Sequence, residues 1–178
     1  SKDRTTTLEI PAIPSLNGFN LKGGLENAYP EHEFFLENDA AAAAMGEFYY
    51  GKDNPEENFI FITMGTGIGS ALLLEGQVFK GSRGNAMEMG HMLAQGTAGL
   101  ETLIGRKGIL SIMARMIAAY PEKAGSLIGA ELGTHLLVDT AKAGNPVSLM
   151  VFEEVGRILG EAIVSTIRIL DINTVYFG

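Results

Sequence analysis

The sequence predicts an α/β domain in which a mixed sheet carries packed helices. Three observations lead to this expectation. Asn58-Phe59-Ile60-Phe61-Ile62-Thr63-Met64 is an apolar run rich in β-branched and aromatic residues, and it reads as a central strand. A glycine-rich turn returns it into a second strand, and the chain closes on another such run at Val175-Tyr176-Phe177. From about residue 100 onward the pattern is mostly helical. The chain has 178 residues, 46% of them hydrophobic and 19% charged, which suits one compact domain with a well-filled core.

Residues 1–20 carry Pro11, Pro14 and Gly18 and read as a short strand followed by an irregular loop. Leu21 to Tyr29 can form a short helix, weakened by Gly23 and Gly24. Glu33-Phe34-Phe35-Leu36 reads as a strand. Asn38-Asp39 then supplies cap chemistry for an alanine-rich helix from Ala40 to Tyr50, which Gly51 ends.

After the central strand, Gly65-Thr66-Gly67-Ile68-Gly69 turns the chain and Ser70 to Leu74 runs back. Glu75-Gly76 makes a tight turn into Gln77 to Phe79, so the three strands should form an antiparallel meander. Residues 81–99 read as a glycine-punctuated loop. Helices are expected at roughly 100–119, 127–143 and 146–170. The last repeats Val151, Val155, Ile158, Leu159, Ala162, Ile163 and Ile167 at helical spacing, with Pro146 suited to its first turn. Sequence alone also suggests a segment of a longer protein, because the chain opens on Ser1 and stops just past a core strand.

Composition narrows the function classes. The net charge is -8, from 21 acidic and 13 basic residues, and no Lys/Arg run is present. An acidic surface repels phosphate backbones, so nucleic acid is not an expected partner of this segment. The absence of cysteine excludes disulfides and thiolate-ligated metal. No apolar run approaches the ~18–20 residues of a membrane span, and Ser1 to Thr7 is no signal peptide. A soluble cytoplasmic protein is the default expectation.

Three constellations could carry chemistry. Glu37-Asn38-Asp39 stands where a strand should meet a helix. There Asn38 or Asp39 can cap free helix amides, or the pair can grip vicinal hydroxyls of a polyol while Asp39 takes a proton. Gly65-Thr66-Gly67-Ile68-Gly69 is either a plain hairpin turn or a phosphate cradle, with Thr66 adding a hydroxyl donor. It is neither a Walker A loop nor a dinucleotide fingerprint, since no Lys follows and the next segment is a strand. Glu88-Met89-Gly90-His91, with Glu101 beyond, could line a hydroxyl-gripping pocket, or serve structure alone.

In this order the segments resemble the ROK family of sugar kinases and sugar-responsive repressors. The resemblance runs through Glu37-Asn38-Asp39-Ala40-Ala41-Ala42-Ala43-Ala44-Met45-Gly46-Glu47, Gly65-Thr66-Gly67-Ile68-Gly69, Glu88-Met89-Gly90-His91 and Leu100-Glu101. It continues at Ala141-Lys142-Ala143-Gly144-Asn145-Pro146 and at Asp171-Ile172-Asn173 through Gly178. It implies an actin-like, hexokinase-like (ribonuclease H-like) fold, with this chain as the large C-terminal lobe of a two-domain kinase. It further implies that Asn38, Asp39, Glu88, His91 and Glu101 contact a sugar, with Asp39 as general base. Gly65, Thr66, Gly67 and Gly69 would bind the phosphates of ATP, with Mg²⁺ neutralising them.

This sequence departs from the family's pattern in three places. Family members usually carry a cysteine cluster that holds zinc between the His and the Leu-Glu pair, whereas Met92 to Gly99 has no Cys. No zinc is therefore expected, and His91 should keep only its sugar role. Ser15 stands where the family often has an Asn before its Gly-aromatic pair, here Gly18-Phe19. The family's N-terminal Asp-x-Gly-Gly-Thr-like phosphate motif is not in these residues, so the N-terminal lobe is an expected partner. The expected function is ATP-dependent phosphorylation of a hexose or N-acetylhexosamine, with the isolated chain inactive. The alternatives are the effector domain of a sugar-sensing repressor and a non-catalytic oligomerisation module. A homodimer would suit the family.

Overall fold

The computed structural model describes residues 5–7, 13–51, 56–96 and 98–178. Its centre is a four-stranded sheet of β1 (Phe59–Met64), β2 (Ile68–Leu74), β3 (Gln77–Val78) and β6 (Val175–Phe177). The strand order is β3-β2-β1-β6. β1 pairs antiparallel with β2, from Phe59 opposite Leu73 to Met64 opposite Ile68, and β2 pairs antiparallel with β3. β6 returns parallel to β1, with Tyr176 opposite Phe61. A parallel neighbour requires a crossover, and the helical half of the chain provides it.

The alternation of side chains along β1 and β2 splits the core in two. Phe59, Phe61, Ala71 and Leu73 face α2 (Asp39–Tyr50), which contributes Ala41 and Ala44. Ile60, Ile62, Ile68 and Leu72 face the other way, into the larger core built with the helices after residue 99. Those helices are α3 (Leu100–Ile104), α4 (Arg106–Ala119), α5 (Pro121–Ala124), α6 (Thr134–Lys142) and α7 (Pro146–Leu170). α7 buries Val147, Val151, Val155, Ile158 and Ala162, the apolar stripe that its sequence period requires. Both faces of the sheet are therefore covered, as the continuous apolar run of β1 demands.

Asn145 is the N-cap of α7 and joins two elements. Its Oδ1 accepts from the Ser148 amide at 3.0 Å and its Nδ2 donates to the Ala124 carbonyl at 2.9 Å. Removing both bonds leaves two backbone groups short of a partner. Asn145→Ala should cost about 1–2 kcal/mol in a denaturant titration, against less than about 0.5 kcal/mol for an exposed surface change.

Several sequence expectations need correction. Glu33 to Leu36 is not a strand. Among the described residues no neighbouring strand offers it a ladder, and its rings pack locally, with Phe34 at 6.3 Å from Tyr29 and Phe35 under the Lys22 ammonium at 5.7 Å. α1 (Leu21–Ala28) forms as expected. The short strand expected within residues 1–20 falls largely outside the described residues.

The expected helix at 100–119 is two helices, because Gly105 leaves helical geometry with ψ at 173°. The stretch 127–143 becomes helical only at Thr134, after Gly129 with φ at +75° and an extended Gly133. The loop 81–99 contains a 3-10 turn at Met89–His91 and a two-stranded hairpin of β4 (Leu93–Ala94) and β5 (Ala98–Gly99). Strands of two residues are too short to leave a period in sequence.

Candidate active site

The site is built around the glycine turn between β1 and β2. α2 arrives on one side of it. Asn38 caps this helix, its Oδ1 accepting from the Ala41 amide at 3.1 Å. Asp39 is the first helical residue and is exposed, and among the described residues only its Oδ1 is engaged, accepting from the Ala40 amide at 2.8 Å. The sequence left open which of the two residues caps, and the structure assigns that job to Asn38. Glu37 braces the approach, its Oε2 meeting Lys80 Nζ at 2.8 Å while Oε1 accepts from the Asn38 amide.

Gly69 is what lets the helix come so close. A Cβ there would lie 3.2 Å from the Cβ of buried Ala40 and 3.0 Å from the Thr63 methyl. Ala40 follows Asp39 directly, so this close approach brings the first turn of α2 next to Gly69.

On the opposite face of β2, Ser70 organises the Glu88 segment. Its hydroxyl donates to the Met87 carbonyl and accepts from the Met89 amide at 3.2 Å. Met87 sits at φ +63°, a conformation that bulky residues avoid, and the Ser70 bond holds it there. Glu88 is thus presented between two pinned neighbours. A cavity of roughly 100 Å³ is lined by Asn38, Ser70, Lys80, Asn85 and Glu88 among others.

That cavity brings Asn38 and Glu88 together. Asp39 and His91 are exposed and lie outside its lining. His91 closes the 3-10 turn, where its amide bonds to the Glu88 carbonyl at 3.0 Å, and the β4–β5 hairpin shapes the following loop. Glu101, at the start of α3, reaches the glycine turn, where its Oε2 accepts from the Ile68 amide at 2.8 Å. Thr66 lines a second cavity of about 370 Å³ with Arg106, Thr134, His135 and Phe152.

Within the turn, the Gly65 amide bonds to the Gly67 carbonyl at 2.9 Å and the Ile68 amide to Glu101. The amides of Thr66 and Gly67 have no protein acceptor among the described residues. Unsatisfied amides on a glycine turn, with a hydroxyl beside them, fit a phosphate group. The described residues include no cluster of three or more His, Asp or Glu side chains able to hold a metal ion.

Ser70, Lys80 and Asn85, and also Arg106, Thr134 and His135, were not singled out from sequence as site residues. Ser70 did carry a signal, as a polar residue on the core-facing side of an apolar strand. The others come into place only through folding.

A β-meander whose first strand also pairs in parallel with a strand arriving after a helical crossover is the ribonuclease H-like arrangement. With a glycine turn at its edge, this defines the actin-like, hexokinase-like class. The chain belongs to the ROK family, whose model matches residues 1–178. Among solved structures, a candidate sugar kinase from Cytophaga hutchinsonii is 35% identical, with a TM-score of 0.89 over 100% of this chain and 60% of that one. A ROK family glucokinase from Streptomyces griseus, in complex with glucose and AMPPNP, is 25% identical, with a TM-score of 0.83 over 99% of this chain and 61% of that one. A ROK family transcriptional regulator is 25% identical, with a TM-score of 0.84 over 99% of this chain and 46% of that one. The chain spans about half the length of several curated sugar kinases that it matches. Among the described residues, no helix is long and apolar enough to cross a membrane.

Proposed function

We propose that this chain is the sugar-binding lobe of a sugar kinase that phosphorylates a hexose or an N-acetylhexosamine at the expense of ATP. The observation that carries this reading is the division of labour at α2. Asn38 caps the helix, leaving Asp39 exposed with one carboxylate oxygen uncommitted among the described residues, on the helix turn that packs against Gly69. A sugar hydroxyl is a weak nucleophile, and a carboxylate next to the phosphate-binding element can take its proton as transfer proceeds. Asn38 and Glu88 line one small cavity and are assigned to hydroxyl recognition, together with His91 and Glu101. Thr66 and the turn glycines are assigned to the nucleotide phosphates. Mg²⁺-ATP, when bound, supplies the phosphoryl group, and a second lobe with the Asp-x-Gly-Gly-Thr-like motif completes the clamp. In this reading the protein is a soluble, cytoplasmic homodimer, and the 178 residues by themselves turn over negligibly.

The test is a panel of hexoses and N-acetylhexosamines, read by melting temperature and by ATP-dependent phosphorylation in the full-length protein. At least one sugar should stabilise it by about 2.7 kcal/mol at a hundred times its Kd, and the same sugar should be phosphorylated. A panel without any shift would refute the sugar site. The similarity to a ROK family regulator supports a second reading, a sugar-sensing effector domain. Stabilisation by a sugar without turnover would favour that one.

A further inference from the structure

We propose that Glu101 is a positioning residue of the glycine turn, holding its backbone ready for phosphate and thereby coupling the affinities of sugar and nucleotide. The proposal rests on the reading above that this turn receives the nucleotide phosphates. It adds a role that sugar contact does not require.

Glu101 Oε2 is the only acceptor for the Ile68 amide among the described residues, at 2.8 Å, and Ile68 is 6% exposed. A buried donor that loses its acceptor is costly, so the carboxylate fixes where the turn enters β2. The approach is close: a Cβ on residue 67 would lie 2.1 Å from the same oxygen. Glycine at position 67 therefore makes room for a carboxylate, independently of any phosphate.

The grip has a second point. Gly105 ends α3, and the next amide, Arg106, donates to the Thr66 carbonyl at 3.3 Å. The α3–α4 elbow thus holds the turn at Thr66 and at Ile68. Gly90, inside the Glu88–His91 segment, backs onto the same residue, where a Cβ would lie 2.6 Å from the Ile68 carbonyl. Ile68 is accordingly shared by the phosphate turn and by both elements assigned to the sugar.

Glu101 Oε1 takes no hydrogen bond from the protein among the described residues. A sugar hydroxyl donating to Oε1 would fix the side chain that Oε2 uses to hold the turn. Nucleotide and sugar should then each tighten the other's binding by the same factor.

The experiment measures AMPPNP affinity with and without glucose, together with hydrogen exchange at the Ile68 amide. It uses the unsubstituted full-length protein, Glu101→Ala and Glu101→Gln. In Glu101→Ala, AMPPNP affinity without sugar should fall about tenfold and Ile68 exchange should accelerate by a similar factor. Glu101→Gln keeps a carbonyl that can accept from the Ile68 amide, so it should stay within about threefold on both readouts. If Glu101→Ala does not melt cooperatively, Glu101→Asp takes its place, since it keeps the charge but retracts it by one methylene, and the same loss is expected. Unchanged AMPPNP affinity without sugar in Glu101→Ala, or in Glu101→Asp, would overturn the proposal while leaving the kinase reading intact. No AMPPNP binding by the unsubstituted protein would overturn both.

Discussion

Asp39→Asn should lower sugar phosphorylation by about 10²–10⁴-fold while sugar binding falls only modestly. The substitution is nearly isosteric. Asn38 keeps its bond to the Ala41 amide, and the new side-chain carbonyl can still accept from the Ala40 amide as Asp39 Oδ1 does. What disappears is the ability of the free oxygen to take a proton. Initial rates at saturating sugar and ATP, with a melting curve to confirm an intact fold, check this directly. Turnover within a few-fold of the unsubstituted protein would mean that another group is the base.

Phe59→Ala should destabilise the fold by about 3–5 kcal/mol. Phe59 is fully buried and meets Tyr176 edge-on, with ring centroids 4.8 Å apart. The smaller core in which it sits takes Ala41 and Ala44 from α2 as buried residues, with Met45 and Phe48 packed against it. The two alanines let α2 approach the sheet closely, and their short side chains cannot reach into the space that a missing ring leaves. Because α2 carries Asp39, activity should fall further than the folded population does. A urea titration compared with Ile169→Ala, at a position 82% exposed, provides the measure. The exposed change should stay within about 0.5 kcal/mol, and a loss below about 1 kcal/mol in Phe59→Ala would contradict the packing argument.

Much of the fold was legible because its signals are local. The β1 run, the Asn38 cap, the alanine helix and the periodic stripe of α7 are each written within one continuous stretch of sequence, whatever they later pack against. The apolar run Glu33 to Leu36 misled for the opposite reason, since a strand needs a partner that its own sequence cannot supply. The β4–β5 hairpin leaves no signal because its strands are two residues long, whereas the break at Gly105 is held by a distant acceptor, the Thr66 carbonyl for the Arg106 amide.

The site divides along the same line. By itself the sequence determined an α/β class, an acidic cysteine-free surface, and an ordered set of motifs that resembles the ROK family. It could not determine which of Asn38 and Asp39 caps α2, or that Gly67 and Gly69 are small so that Glu101 and Ala40 can approach the turn. Those facts depend on residues far apart in the chain, such as Ile68 and Glu101, meeting within hydrogen-bond distance. A carboxylate's role follows from which donors reach its oxygens, and only the folded chain selects them.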